Sequence, residues 1–415
     1  MRLMLRLFLS LVFFCLMLPV EAQVPGFFMK EDRRKVVVPF TKVNDLVVVP
    51  VSINGADPLN FLIDTGVKSN ILFSKRIGDE LGLVYSRKLN LIGADGKTVL
   101  TASVSINNHF DLEKIEGALQ AILVLEDDFL ELEKILGVPI YGIIGYEFFK
   151  FNPVKIDYGN RKISFYRPDA LGWRPFGYRA VDLNIEDNKP YVQGEIRQLE
   201  GPVLKAKLLV DTGANHSLLL NRETSEDIVL PPVTVETDLG MSLGGNLHGF
   251  MGRVGRLKLG NLNFRQVLTS YPNKTEFFHI ILETGRVGSL GSELLSRMKL
   301  ILDYPRERML FKKGSYFTEP FKYDMSGISV RLVSVDEPRV YVSQVREGSP
   351  AQRVGVQKFD EITSINKVPI EFWKLSDINE LFRSEVGREI TLELLREEGN
   401  ELKELTLTFV LLPQL

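Results

Sequence analysis

Cysteine is nearly missing from this chain. The one thiol among 415 residues, Cys15, lies inside an apolar N-terminal run. A chain without that run has no thiol, which excludes disulfides, thiolate metal sites and a cysteine nucleophile. Histidine is also scarce. His109, His216, His248 and His279 are scattered without the HExxH spacing, so a zinc site has no support. Gly-Asn-Ser-Gly-Gly does not occur, and the one G-x-S-x-G match, Gly240-Met241-Ser242-Leu243-Gly244, lies in a Gly-rich stretch rather than between a buried strand and a helix, so a serine nucleophile lacks support too. An excess of one charge is absent: 51 Lys and Arg against 53 Asp and Glu leave a net charge of -2. That gives no electrostatic case for nucleic acid or an anionic membrane. A long apolar run occurs only at 7–18, and it is short for a membrane span. With Arg2 and Arg6 before it and Val20-Glu21-Ala22 after it, the run reads as a secretory signal peptide over 1–22. Phe13-Phe14 are too bulky to make Cys15 a good acylation site. The expectation is export to a periplasm, cell envelope or exterior, with no membrane span in the mature chain. A protein of this size can be stable on its core alone.

What the chain does have is one short stretch, used twice. Phe61-Leu62-Ile63 runs into Asp64-Thr65-Gly66, and Lys207-Leu208-Leu209-Val210 runs into Asp211-Thr212-Gly213. A single Asp-Thr-Gly arises by chance about once in several thousand positions. Two copies behind apolar strands call for a repeat. The register supports one. Asp64 precedes Gly145 by 81 residues and Asp211 precedes Gly291 by 80; Asp64 precedes Asp157 by 93 and Asp211 precedes Asp303 by 92. Two units of this kind are expected to face each other across a pseudo-two-fold axis, like a fused homodimer.

Around these motifs the pattern is β. After a flexible leader over 23–34, short β-branched runs alternate with turn signals such as Asn54-Gly55 and Asp57-Pro58. Helices are expected over 71–81 and 129–136, each stopped by a glycine. Asp157 and Asp303 sit before hairpin turns and read as structural. Beyond Pro320 the composition changes. Ser349 and Pro350 signal a helix start, a second helix is expected over 376–383 with Ser376 as its cap, and 389–396 and 404–411 alternate as paired strands.

Two carboxylates brought together across a two-fold axis form a specific chemical device. They hold one proton between them, because both ionise only at a cost. The ionised member takes a proton from water, and the protonated one stabilises the carbonyl oxygen under attack. No metal and no cofactor are needed. Thr65 and Thr212 can lock the loops across the axis, while Gly66 and Gly213 leave room for backbone N–H groups. The context is unequal: Ala214 follows the second motif, whereas Val67 and then Lys68 follow the first. A cation at Lys68 would favour ionisation of the pair, and Val67 would crowd the cleft floor.

The doubled motif, with Ile143-Ile144-Gly145 and Ser289-Leu290-Gly291 about 80 residues on, resembles the retropepsin-type aspartic proteases. Gly348-Ser349-Pro350-Ala351, Gly355-Val356, Asp360-Glu361-Ile362 and Ile365-Asn366 resemble a bacterial-type PDZ domain, with Phe359 where that family has glycine. The combination resembles secreted bacterial aspartyl proteases with a C-terminal PDZ domain. The resemblance implies a mainly β architecture: two pseudo-symmetric retropepsin-like β-barrel halves over 35–172 and 173–318, forming one bilobal unit, then an α+β PDZ domain over 319–415. It implies Asp64 and Asp211 as catalytic, supported by Thr65, Gly66, Thr212, Gly213 and Ala214. It implies flap hairpins near Gly93 and Gly96 and near Gly244 and Gly245, and a carboxylate-binding loop at Ser326, Gly327 and Ile328. The partners implied are a polypeptide substrate and a peptide or protein C-terminus at the PDZ groove, with the chain a monomer containing its own pseudo-dimer. The other function open to the same sequence is a catalytically inactive, peptide-binding protease scaffold.

Overall fold

The computed structural model describes residues 24–92, 99–127, 131–172, 174–242, 245–273, 278–337 and 339–415. The segment expected to be a signal peptide and the expected flap positions Gly93, Gly96 and Gly244 lie outside these residues. None of the described helices is long and apolar enough to cross a membrane.

Each half is a closed six-stranded barrel, and the two are built alike. In the first, the ring runs Leu46–Ile53, Leu59–Ile63, Gly142–Ile144, Asn70–Leu72, Ile115–Leu125, Val99–Leu112 and back to the start. In the second, it runs Lys189–Arg197, Val203–Val210, Gly288–Leu290, Leu218–Leu220, Leu262–Pro272, Gly245–Leu259 and back. Closure removes free strand edges and turns alternate side chains inward, which explains the fully buried Val47, Ile63 and Val124 of the first barrel and Ala206, Val210 and Val267 of the second. A six-stranded sheet joins the halves. Lys35–Pro39, Lys162–Tyr166 and Val154–Asp157 come from the first half, and Met298–Asp303, Arg308–Lys313 and Arg179–Asp182 from the second. Its central antiparallel pair sets Lys155 against Ile301, which are repeat equivalents, so the pseudo-two-fold axis passes between them. Asp157 and Asp303 serve this sheet. Asp157 bonds Lys299 of the other half at 2.9 Å, and Asp303 accepts from Arg308 at 2.7 Å.

Three expectations from sequence are corrected. Part of the 23–34 leader is a strand: Gly26–Met29 pairs with 115–118, with Phe27 buried between Phe110 and Phe148. Burying such a ring stabilises by about 2 kcal/mol, but four residues give no periodicity from which to read it. The helix expected over 71–81 begins later, at Lys75–Glu80 with Ser74 as cap, because Asn70–Leu72 is a barrel strand. A short apolar run buried on both faces looks alike in either state. The helix expected over 376–383 is Leu375–Phe382, and Ser376 lies inside its first turn, bonding Asp377 rather than capping.

The last hundred residues form a second fold. Ile328–Leu332, Val340–Val345, Glu361–Ile365, Glu389–Glu398 and Glu401–Val410 make a sheet in that order, flanked by Pro350–Arg353 and Leu375–Phe382. Ser349 caps the first of these helices by accepting from Gln352 N–H at 3.3 Å, with Pro350 at the first helical position. Two arginines of the second half hold the connection. Arg297 lies over the Phe321 ring at 3.7 Å and donates to the Pro320 carbonyl at 3.2 Å, and Arg253 donates to the Phe321 carbonyl at 3.0 Å.

Candidate active site

The strands Leu59–Ile63 and Val203–Val210 each run along a short parallel partner, Gly142–Ile144 and Gly288–Leu290. That partner carries the chain past the strand end. Asp64 N–H donates to the Ile144 carbonyl and Asp211 N–H to the Leu290 carbonyl, both at 2.9 Å. The turn that follows is also fixed in both copies. Tyr146 N–H reaches the Val67 carbonyl at 3.2 Å, and Ser292 N–H reaches that of Ala214 at 2.7 Å. Gly142, Gly145, Gly288 and Gly291 permit this approach: a Cβ on Gly288 would lie 1.9 Å from the Leu219 carbonyl oxygen, and one on Gly291 2.1 Å from that of His216.

The two tripeptides meet across the axis. Thr65 N–H donates to Thr212 Oγ1 at 3.1 Å, and Thr212 N–H to Thr65 Oγ1 at 3.0 Å. Each hydroxyl then donates onward into the opposite strand, Thr65 to the Val210 carbonyl at 2.6 Å and Thr212 to that of Ile63 at 2.8 Å. Both threonines are fully buried, so these bonds satisfy groups that water cannot reach. Each carboxylate is clamped by its own loop, with Gly66 N–H on Asp64 Oδ1 at 2.6 Å and Gly213 N–H on Asp211 Oδ1 at 3.1 Å. The glycines also sit beneath the opposite carboxyl. A Cβ on Gly213 would lie 2.1 Å from the Asp64 carboxyl, and one on Gly66 2.9 Å from that of Asp211.

Asp64 and Asp211 thus face each other across the axis, near enough for the charge of one to act on the other. Burial, then the charge of Asp211, push Asp64 well above the usual carboxylate range, against the pull of the Gly66 N–H bond and of Lys189. The pair therefore keeps one proton where isolated carboxyls have lost theirs.

Lys189 was not expected at this site. It begins the strand Lys189–Arg197 after a two-residue turn, Asp187 and Asn188, both at positive φ. Burial holds its ammonium below the usual lysine value, while Asp211 favours its charge. Lys68, expected to act on the pair, instead forms an ion pair with Asp187 of that turn, and its side chain is 44% exposed. The cation that bears on Asp64 comes from the opposite half of the chain, and no spacing rule signals it. Val67 does not block the floor: it packs on the cluster around Ile71 and Ile143, beside Gly145.

Other neighbours were likewise silent in sequence. Asn70 accepts from Gly145 N–H at 3.2 Å and donates to Gln120 at 2.9 Å. His216 Nε2 lies 2.9 Å from Ser289 Oγ, which explains the polar residue in the second Ser-Leu-Gly. The buried Tyr304 hydroxyl is kept protonated by burial and by the charge of Asp64. Gly245 pairs with Ser242 at the head of the second hairpin, Val235–Ser242 with Gly245–Leu259. Ser326, Gly327 and Ile328 lie far along the chain, at the entry to the strand Ile328–Leu332.

The profile of the aspartyl protease family matches residues 49–148 and 192–294, one segment in each barrel. The two barrels belong to the aspartyl protease family. The PDZ domain profile matches residues 341–396. No curated protein sequence is significantly similar to the chain. Among solved structures, the aspartic proteinase from Irpex lacteus aligns at 12% identity and TM-score 0.42, covering 69% of this chain and 99% of its own. Basic 7S globulin from soybean aligns at 10% identity and TM-score 0.41, covering 69% of this chain and 97% of its own.

Proposed function

We propose that the protein is an aspartic endopeptidase in which Asp64 and Asp211 activate one water between them. One observation carries this reading: two carboxyls, each above the other loop's glycine, are held face to face by a reciprocal threonine lock. An ionised carboxylate of the pair takes a proton from the water as its oxygen bonds the peptide carbonyl carbon. The protonated carboxyl donates to the carbonyl oxygen, giving a neutral tetrahedral diol. In its collapse the C–N bond breaks as the protonated carboxyl gives its proton to the departing amine and the ionised one takes a hydroxyl proton from the diol, leaving an amine and a carboxylic acid and restoring the pair's single proton. Both carboxyls come from one chain, so a monomer suffices. The N-terminal segment supports export, with the reaction taking place outside the cytoplasm.

The test is cleavage of a peptide library by the mature protein from acidic to neutral pH. Asp64→Asn and Asp211→Asn should each lower kcat/KM by about 10³-fold or more. Cleavage that survives both changes, or none with any peptide, overturns the reading in favour of an inactive peptide-binding scaffold. Export is checked by fractionating cells that make the full chain. Retention in the cytoplasm would refute it.

A further inference from the structure

The PDZ fold has a groove between the strand Ile328–Leu332 and the helix Leu375–Phe382, and something already lies against it. The helix Leu132–Leu136 of the first barrel packs on both the strand and the helix. It ends at Gly137, in the left-handed conformation at φ 74°. A Cβ added there would lie 2.9 Å from Leu375 Cβ, so the first barrel's backbone runs directly against the start of the PDZ helix. Ile135 borders a cavity of about 250 Å³ together with Ile328, Val330, Asn379 and Phe382. Lys134 stands near Tyr341 of the next strand.

The loop at the end of this groove is also occupied. A carboxylate-binding loop offers free backbone N–H groups to a peptide C-terminus. Here Ser326 N–H donates to Asp324 Oδ1 at 3.0 Å, Gly327 N–H to Asp324 Oδ2 at 2.8 Å, and Ile328 N–H to Ser326 Oγ at 3.0 Å. Arg346 donates to the Asp324 carboxylate at 3.3 Å and to its carbonyl at 2.9 Å. The charge that a peptide terminus would bring is already supplied by the chain itself.

We propose that the PDZ groove is a latch on the protein's own first barrel: its ligand is the segment 132–138, which presents Ile135 and the Gly137 backbone while Leu132, Leu136 and Val138 stay in the barrel's own cluster, and it is recognised without a free carboxylate. The latch closes beside the second active-site loop. Arg383, at the end of the PDZ helix, lies in the field of Glu293, and Glu293 accepts a hydrogen bond from Ser217, six residues after Asp211. A competing internal apolar segment would therefore release the PDZ domain next to the catalytic machinery. The inference stands whether or not the carboxyl pair is catalytic.

The experiment uses the mature chain and an end-blocked peptide of residues 131–139. Ile135→Asp, and separately Asn379→Trp from the other side, should open the latch, read as a larger radius of gyration by X-ray scattering and faster amide exchange over 328–332. The Ile135→Asp protein should bind the blocked peptide about 100-fold or more tightly than wild type, because the tethered segment competes at a high effective concentration. Unblocking the peptide's C-terminus should change nothing until Asp324→Ala frees the loop. Unchanged dimensions and exchange in both variants would overturn the latch. So would wild-type protein that binds C-terminal peptides tightly and loses them on amidation. A variant that merely misfolds is recognised by lost near-UV dichroism and fails to bind the peptide, which the second variant then decides.

Discussion

The two active-site loops share Asp-Thr-Gly and nearly every backbone hydrogen bond, yet their surroundings differ. Asp64 is 7% exposed and Asp211 more open. Behind the first loop stands an amide network, Asn70 with Gln120; behind the second stand His216 with Ser289 and Ser217 with Glu293. The second half also reaches across with Lys189 to bear on Asp64, whereas the first half's Lys68 reaches across to the turn at Asp187 instead of to the carboxyls. Symmetry is thus imposed where geometry must match and abandoned where the two carboxyls need different environments.

Substituting the glycines should expose that difference most strongly. Gly213→Ala puts a methyl 2.1 Å from the Asp64 carboxyl, against 2.9 Å from Asp211 for Gly66→Ala. Neither is cheap, because each carboxyl is held by its own loop N–H. A displacement of about 1 Å costs about 100-fold in rate, so Gly213→Ala should lose at least that in kcat and exceed the loss from Gly66→Ala. Equal losses in steady-state kinetics would show that the two carboxyls are equally free to move.

The threonines test the opposite claim, that the lock is symmetric. Thr65→Val and Thr212→Val each leave a buried N–H without its partner, which costs about 1–3 kcal/mol. Denaturant melts should give equal losses. The double variant should lose less than the sum, because both residues serve one network.

How much of this was legible in sequence follows from the same contrast. The repeated motif, the strand Val203–Val210, the Ser349 cap and the paired barrels could be read because each leaves a local pattern or a register. The four-residue strand Gly26–Met29 left neither. Lys189 acts through space on a group distant in sequence, so composition and spacing carry no trace of it, whereas Asp324 bonds N–H groups two and three residues on, a local turn masked by the role already assigned to Ser326 and Gly327. Lys68 shows the converse: adjacency to Asp64 in the chain suggested an influence, and the side chain turns away to Asp187.

The pH behaviour should separate these two lysines. Asp64 has a native pKa raised above its ordinary 3.8. Its contribution to stability is therefore fully present below about pH 3.8 and is lost as pH rises through the native value. Asp64→Asn should flatten that decline in thermal melts and stabilise the protein near neutrality. Activity should fall on the alkaline side as the shared proton leaves. Lys189 pulls Asp64 down, so Lys189→Met should move this limb upward, while Lys68→Met leaves it in place. A limb that follows Lys68 instead would restore the reading by adjacency.

The smallest effect is expected at His216. Burial holds its imidazole below the ordinary 6.5, with Asp211 opposing. A depressed cation contributes stability that is present above the unfolded value and lost as pH falls through the native one, opposite in direction to Asp64. His216→Gln keeps a side chain able to bond Ser289 but cannot take up a proton. It should flatten the acid side of the stability profile and leave the alkaline limb of activity unchanged. If the alkaline limb moves as well, His216 senses the carboxyl pair directly, and the second loop is tied more tightly to the shared proton than its hydrogen bonds suggest.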